Sequence, residues 1–116
     1  MATIHLVEGP VGAGKSTYAA RLSWTIGAPH LDLDAWMVRL FSPDRPAEGF
    51  LPWYTERKTR CLAQIWEVTC SLLDHEIGPI LELGLVHLAD REDFYRRVDA
   101  FDCELRIHLL EASLEE

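Results

Sequence analysis

One stretch decides the fold of this chain: Gly9-Pro10-Val11-Gly12-Ala13-Gly14-Lys15-Ser16-Thr17. It fits the pattern G-x-x-x-x-G-K-[ST], in which backbone N–H groups surround phosphate oxygens and the lysine reaches the β- and γ-phosphates. The hydroxyl that follows the lysine is a ligand for Mg²⁺ in this pattern. We therefore predict that these nine residues bind a nucleotide, that Lys15 also acts in catalysis, and that Ser16 holds the metal ion.

The residues on either side of this loop predict a strand before it and a helix after it. Residues 3–7 form a short β-branched and apolar run, as a buried strand does. Residues 15–26 carry apolar side chains at roughly helical spacing and stop at Gly27, a favourable C-terminal cap. Phosphate binding needs the order strand, glycine-rich loop and helix, because the helix N-terminus adds partial positive charge at the loop.

Strands and helices alternate along the rest of the chain, which indicates an α/β fold with a mainly parallel sheet of about four strands. Turn-forming residues predict a surface loop at residues 42–49. The whole chain, residues 1–116, is expected to form one nucleotide-binding domain. Further strands are predicted at residues 29–33, 80–85 and 104–110, and further helices at residues 35–41, 53–77 and 89–98.

Composition narrows the classes of partner. The chain has 11 basic and 19 acidic residues and a net charge of −8 at pH 7. This charge argues against a broad surface for nucleic-acid phosphates and leaves a local nucleotide pocket open. The three cysteines include no C-x-x-C pair, so neither a disulfide framework nor a zinc site is indicated. No basic and apolar leader precedes the first strand and no apolar stretch approaches about 18 residues, so a cytoplasmic protein with no membrane partner is expected.

Four segments carry a family resemblance: the phosphate loop, residues 31–41 (LDLDAWMVRLF), residues 53–57 (WYTER), and residues 80–84 (ILELG) with 90–92 (DRE). Together they resemble the small P-loop kinase-like proteins of the AAA family. These are similar to zeta toxins, chloramphenicol phosphotransferase and the kinase half of polynucleotide kinase. The resemblance implies a three-layer P-loop NTPase fold that uses ATP and Mg²⁺. It also implies that the C-terminal lid and fifth strand of the resembled kinases are missing.

The resemblance assigns a catalytic role to Asp34. In the resembled families, an aspartate just past the second strand lies across from the γ-phosphate and accepts the proton of the substrate hydroxyl. Such a base works largely through its position. Asp34 also precedes a helical run, where a carboxylate is a good N-cap, and the two roles can coexist. Asp32 is either a metal and substrate ligand or a solvated strand end.

Two further charged residues are site candidates. Glu82 is a single acid inside an apolar strand, where burial is costly without partners. The resemblance makes it a Mg²⁺ ligand through water, although family members usually carry aspartate there. Otherwise Glu82 hydrogen-bonds the loop or a neighbouring element. Arg39 either pairs with an acidic substrate or a phosphate, as a catalytic residue, or is a surface arginine. Because no lid arginine can be named, we expect that the chain is a fragment, that Arg39 or Arg91 substitutes for the lid arginine, or that a partner completes the site.

These assignments lead to a first function hypothesis and to alternatives. The first is a Mg·ATP-dependent kinase that moves the γ-phosphate to a small hydroxyl-bearing molecule, whose identity the sequence does not give. The second is a nucleotide-binding module that senses or scaffolds without efficient catalysis. Phosphorylation of nucleic-acid ends is disfavoured by the net charge of −8. Toxin activity on a sugar nucleotide follows from the resemblance alone.

Overall fold

Four parallel strands form one sheet in the computed structural model, which describes residues 1–111. They are β1 (Thr3–Glu8), β2 (His30–Asp32), β3 (Ile80–Glu82) and β4 (Glu104–Leu109). Their order across the sheet is β2-β3-β1-β4, and each pair of neighbours is parallel. The prediction of an α/β fold with a mainly parallel sheet is confirmed.

Helices cover both faces of this sheet. They are α1 (Lys15–Ile26), α2 (Leu33–Leu40), α3 (Phe50–Asp74) and α4 (Leu88–Asp99). Buried apolar residues form a larger core on one face of the sheet and a smaller one on the other face. Side chains alternate between the faces of a strand, so Ile4 and Leu6 of β1 pack in the larger core with residues of α2, α3 and α4. Val7 instead packs against Ala19 of α1 on the other face. The predicted three layers are therefore present.

The start of α2 differs from its prediction. The helix begins at Leu33, because Asp32 is its N-cap and accepts a hydrogen bond from the backbone N–H of Ala35 at 3.3 Å. The strand before it consequently ends at Asp32 instead of continuing to residue 33. The N-cap role considered for Asp34 is wrong, since Asp34 lies within the first turn of α2.

The long helix α3 is displaced from the predicted range of 53–77. It begins at Phe50 after Gly49, whose φ of 67° supplies a left-handed N-cap, and it ends at Asp74. Proline is tolerated in the first turn of a helix, where its missing N–H costs no hydrogen bond, so Pro52 fits inside α3. The predicted loop before it contains a single 3-10 turn at Ser42–Asp44. None of the described helices is long and apolar enough to cross a membrane.

His108 of β4 connects this strand to β1 and to α1. Its Nε2 lies 2.9 Å from His5 Nδ1, and its Nδ1 lies 2.6 Å from the Tyr18 hydroxyl oxygen. Burial is the main cause that lowers the pKa of both imidazoles. The charge of Arg106 lowers both pKa values further, and His108 adds to the effect on His5. The neutral form of both rings is therefore favoured in the folded protein.

We expect the protein to lose stability as the pH falls below the ordinary histidine pKa of 6.5. Since the folded-state pKa of both imidazoles is lowered, the unfolded chain binds more protons in this range, and the free energy of unfolding decreases as the pH falls. The contribution is fully present above pH 6.5 and is lost as the pH falls toward the lowered values. Urea unfolding between about pH 7.5 and 5.5 measures it. A His5→Gln, His108→Gln double variant with the same pH dependence as the wild type would contradict it.

Candidate functional site

The phosphate loop lies where β1, β2 and β3 all end. Because these strands are parallel, their carboxyl ends share one edge of the sheet, which is where ligands bind in open α/β folds. The loop follows β1, Asp34 follows β2, and residues 84–86 follow β3. The fold thus brings together at one edge three segments that are far apart in the sequence.

The backbone of the loop depends on its glycines. Gly12 and Gly14 have φ values of 86° and 82°, in the left-handed region. A Cβ at Gly9 would lie 2.7 Å from the carbonyl oxygen of Leu110, which leaves no room for a side chain. Gly14 is also the N-cap of α1 and offers no side-chain hydrogen bond to it. Because glycine has no side chain, the N-cap does not occupy the N–H groups at the start of α1, and these groups are suited to bind an anion.

Lys15 is folded over the loop that precedes it. Its Nζ donates to the carbonyl oxygens of Gly9 at 2.7 Å and of Pro10 at 3.2 Å. The ammonium group is therefore held beside the backbone amides that would surround a phosphate. The contacts of the loop residues with a nucleotide, and the catalytic role of Lys15, stay predictions.

Glu82 connects β3 to the first turn of α1 and to β2. One carboxylate oxygen accepts a hydrogen bond from Ser16 Oγ at 2.9 Å, and the other lies 3.0 Å from His30 Nε2. The residue is 7% exposed, and these two partners explain how the strand tolerates a buried acid. The two residues predicted to hold Mg²⁺, Ser16 and Glu82, are thus in direct contact.

His30 was not predicted as a site residue, although the register of the sheet brings it close to Asp32 and Glu82. Asp32 is paired with Glu82 across β2 and β3, so their side chains share a face. His30 lies two residues before Asp32 and shares that face too, whereas Leu31 between them enters the larger core. One ligand atom from each of His30, Asp32 and Glu82 lies within 4.8 Å of the other two. The alternation His-Leu-Asp in β2 was the signal that predicts this grouping.

Asp34 and Arg39 lie on different parts of α2. Asp34 is exposed in the first turn, and its charge adds to burial in raising the pKa of Tyr54 on α3. Arg39 is exposed nearer the end of the helix, in a groove that it shares with Ala35, Trp36 and Leu40. In the described part of the chain, that groove includes no residue of the phosphate loop. The catalytic role of Arg39 stays a prediction.

A cleft of about 330 Å³ beside the loop contains a different arginine, Arg91 of α4. Its lining includes Gly9, Lys15, Arg91 and the segment after β3. The Nε atom of Arg91 is buried and has no hydrogen-bond partner among residues 1–111. Burial raises the pKa of Glu8 in the same cleft, and the charge of Arg91 opposes that shift. A second cavity, of about 110 Å³ between α3 and α4, contains none of the predicted site residues.

The chain matches a known protein family over nearly its whole length. A family model described as an AAA domain matches residues 4–116. The chain belongs to this AAA domain family. It is a P-loop kinase-like nucleotide-binding protein, as the resemblance of its four segments implies. The roles of the individual site residues are not decided by this membership.

A comparison with solved structures supports the fold. This member of the AAA domain family is similar to a chain in "Structure of the Pnkp1/Rnl/Hen1 RNA repair complex", with a TM-score of 0.75 and 17% sequence identity. The similarity covers 98% of this chain and 34% of that chain, so this chain spans about a third of the length of its structural relative. At this identity the likeness concerns the fold alone. No curated protein matches the chain.

Proposed function

We propose that this AAA domain binds Mg·ATP at the phosphate loop and transfers the γ-phosphate to a small hydroxyl-bearing molecule. The observation that carries the proposal is the 2.9 Å hydrogen bond between Ser16 and Glu82 beside the glycine-rich loop. It joins the hydroxyl that ligates Mg²⁺ in phosphate loops to a buried carboxylate. Oxygen donors of these two kinds fit Mg²⁺, which is bound by few protein ligands and keeps several waters.

In this proposal, each residue of the site has its own role. The loop amides and Lys15 bind the phosphates, and Ser16 and Glu82 hold the metal ion, Glu82 through water. The metal ion, when bound, neutralises charge that develops on the transferred phosphoryl group. Asp34 accepts the proton of the acceptor hydroxyl, and its position after β2, at the edge of the sheet that holds the loop, supports this role.

Arg91 is a better candidate than Arg39 for an arginine that contacts the γ-phosphate. It lines the same cleft as Lys15, and its buried Nε–H has no hydrogen-bond partner within the described residues. A buried donor without a partner costs free energy, which an anion in the cleft would recover. Arg39 has no comparable support, because the groove that it lines includes no phosphate-loop residue in the described part of the chain. We therefore propose that Arg91 binds the γ-phosphate.

Replacing Arg91 with glutamine is expected to weaken ATP binding by about tenfold to a hundredfold, the equivalent of one hydrogen bond to a charged group. Binding of AMP is expected to stay within about twofold, since AMP has no γ-phosphate. Calorimetric titration of both nucleotides measures this difference. Arg96→Gln is the matched control, because Arg96 lies on the same helix but is exposed and paired with Asp93. Equal losses for ATP and AMP in Arg91→Gln would exclude recognition of the γ-phosphate.

We also propose that the acceptor is a small molecule and not a nucleic acid. The net charge of −8 repels a phosphate backbone. The relative in the RNA repair complex shares the fold, but at 17% identity its partners do not transfer to this chain. Absence of binding to a labelled oligonucleotide at moderate salt is the expected result, and tight binding would reverse this choice.

A nucleotide-binding module without transfer is the second candidate. The observation that favours it is the exposure of Asp34 at the surface of α2, since a catalytic base works best where water is excluded. The test is incubation with Mg²⁺, γ-labelled ATP or GTP, and a panel of hydroxyl-bearing metabolites. Labelled product supports the kinase, whereas binding without transfer or hydrolysis supports the module.

A further inference from the structure

Three potential metal ligands of two chemical kinds face α1 at the carboxyl edge of the sheet. His30 supplies an imidazole nitrogen, and Asp32 and Glu82 supply carboxylate oxygens. One such atom from each residue lies within 4.8 Å of the other two. Side chains of His30 and Glu82 are only 19% and 8% exposed. The proposed function gives no role to His30, whose imidazole contacts the same carboxylate as the Ser16 hydroxyl.

Two of the three side chains, His30 and Glu82, already contact each other. Asp32 caps α2 through Oδ1, so a metal ion bound to Oδ2 would leave the capping hydrogen bond in place. Glu82 directs one oxygen to Ser16 and the other to His30 Nε2. An ion between His30 and Glu82 would replace their mutual contact with two metal–ligand bonds. The pairing of Asp32 with Glu82 in the sheet fixes both carboxylates on adjacent strands, so the ligands need little rearrangement.

We propose that His30, Asp32 and Glu82 bind a divalent first-row transition-metal ion, such as Mn²⁺ or Co²⁺, in preference to Mg²⁺. Mg²⁺ is a hard ion that takes oxygen ligands and gives up its water reluctantly, so an imidazole adds little to its binding. Transition-metal ions accept imidazole nitrogen readily, and their affinity for such mixed sites rises from Mn²⁺ to Cu²⁺. The site shares Glu82 with the proposed Mg²⁺ site, and in that respect alone the inference rests on the proposed function.

The test titrates the metal alone, without nucleotide, into the folded full chain. Calorimetry with Mn²⁺, Co²⁺ and Mg²⁺ is expected to give one site, with Co²⁺ and Mn²⁺ bound about tenfold or more tighter than Mg²⁺. The visible absorption of Co²⁺ is expected to change on binding, because the ligands set its geometry. Equal affinity for Mg²⁺ and Mn²⁺ in the wild-type protein would overturn the proposal.

Variants identify the nitrogen ligand. His30→Gln is expected to lose about tenfold or more of its Co²⁺ affinity and to keep its Mg²⁺ affinity within about threefold. His87→Gln is the control, since His87 is an exposed histidine at the start of α4. An unchanged Co²⁺ spectrum in His30→Gln would contradict the assignment. If circular dichroism shows that this variant does not fold, Asp32→Asn takes its place and is expected to weaken Co²⁺ binding as well.

The outcome is separable from that of the proposed function. A chain that binds Co²⁺ through His30 but shows no affinity for ATP would support the metal site and refute the kinase. A chain that binds ATP with Mg²⁺ and shows no preference for Co²⁺ would support nucleotide binding and overturn the metal inference. The two readouts use different ligands, so neither failure is mistaken for the other.

Discussion

The Lys15→Ala variant is expected to lose the stabilisation that ATP gives the wild-type protein. Nζ of Lys15 lies beside the loop that would surround the phosphates, within 2.7 Å of Gly9 O. Its hydrogen bonds to two phosphates would each contribute about 1.5–3 kcal/mol, so their loss weakens binding by about 10² to 10⁴. No other effect on binding that we predict is as large.

Thermal melting measures this loss. ATP at about 100 times its dissociation constant adds about 2.7 kcal/mol, which raises the melting temperature of a chain this size by roughly ten degrees. The Lys15→Ala variant is expected to show an ATP shift of about two degrees or less, because ATP is then at or below its dissociation constant. Arg21→Ala is a control that removes an exposed cation from the same helix and is expected to keep the full shift. If ATP raised the melting temperature of Lys15→Ala as much as that of the wild type, the phosphate loop would not be the ATP-binding site.

The Asp34→Asn variant is expected to bind Mg·ATP normally and to lose phosphoryl transfer by about 10² to 10⁴. Asparagine keeps the size of the side chain but cannot accept the proton of the acceptor hydroxyl. Because Asp34 is exposed and Asp32 is the residue that caps α2, the substitution leaves the fold in place. The measurement is the rate of labelled product formation, with the affinity for ATP measured in parallel.

Asp74→Asn is the matched control for this variant. Asp74 is an exposed aspartate in the last turn of α3, on a different element from α2. We expect it to transfer phosphate at the wild-type rate. Persistence of product in Asp34→Asn at that same rate would show that Asp34 is not the base, even if the loop binds ATP.

The parts of the fold that were predictable from the sequence are those set by local chemistry. The strand before the loop, the loop itself and α1 follow from residues that are adjacent in the chain, and α1 has its predicted bounds of Lys15–Ile26. The parallel sheet follows from the alternation of strands and helices. The family membership agrees with both.

Element boundaries were harder to predict because two residues compete for the same role. Asp32 and Asp34 are both good N-caps, and only the end of β2 decides that Asp32 takes the position. The predicted start of α3 was residue 53, whereas Gly49 caps a helix that begins three residues earlier, at Phe50. Local propensity alone does not separate such alternatives.

The site was only partly predictable because its contacts join distant residues. Ser16 and Glu82 are 66 residues apart, and His30 and Glu82 are 52 apart. The resemblance singled out Glu82. The alternation His-Leu-Asp in β2 indicates only that His30 and Asp32 share a face, and the pairing of β2 with β3 is what places Glu82 beside them. Likewise, only the packing of α4 beside the loop shows that the Nε of Arg91 is buried without a hydrogen-bond partner within residues 1–111.

The central claim is that the loop of residues 9–17 binds the phosphates of a nucleoside triphosphate. Calorimetric titration of Mg·ATP and Mg·GTP into the folded protein tests it most directly. We predict saturable heat for one site with at least one triphosphate, and its disappearance in Lys15→Ala. No heat with either triphosphate, from a protein whose circular dichroism shows that it is folded, would contradict the account.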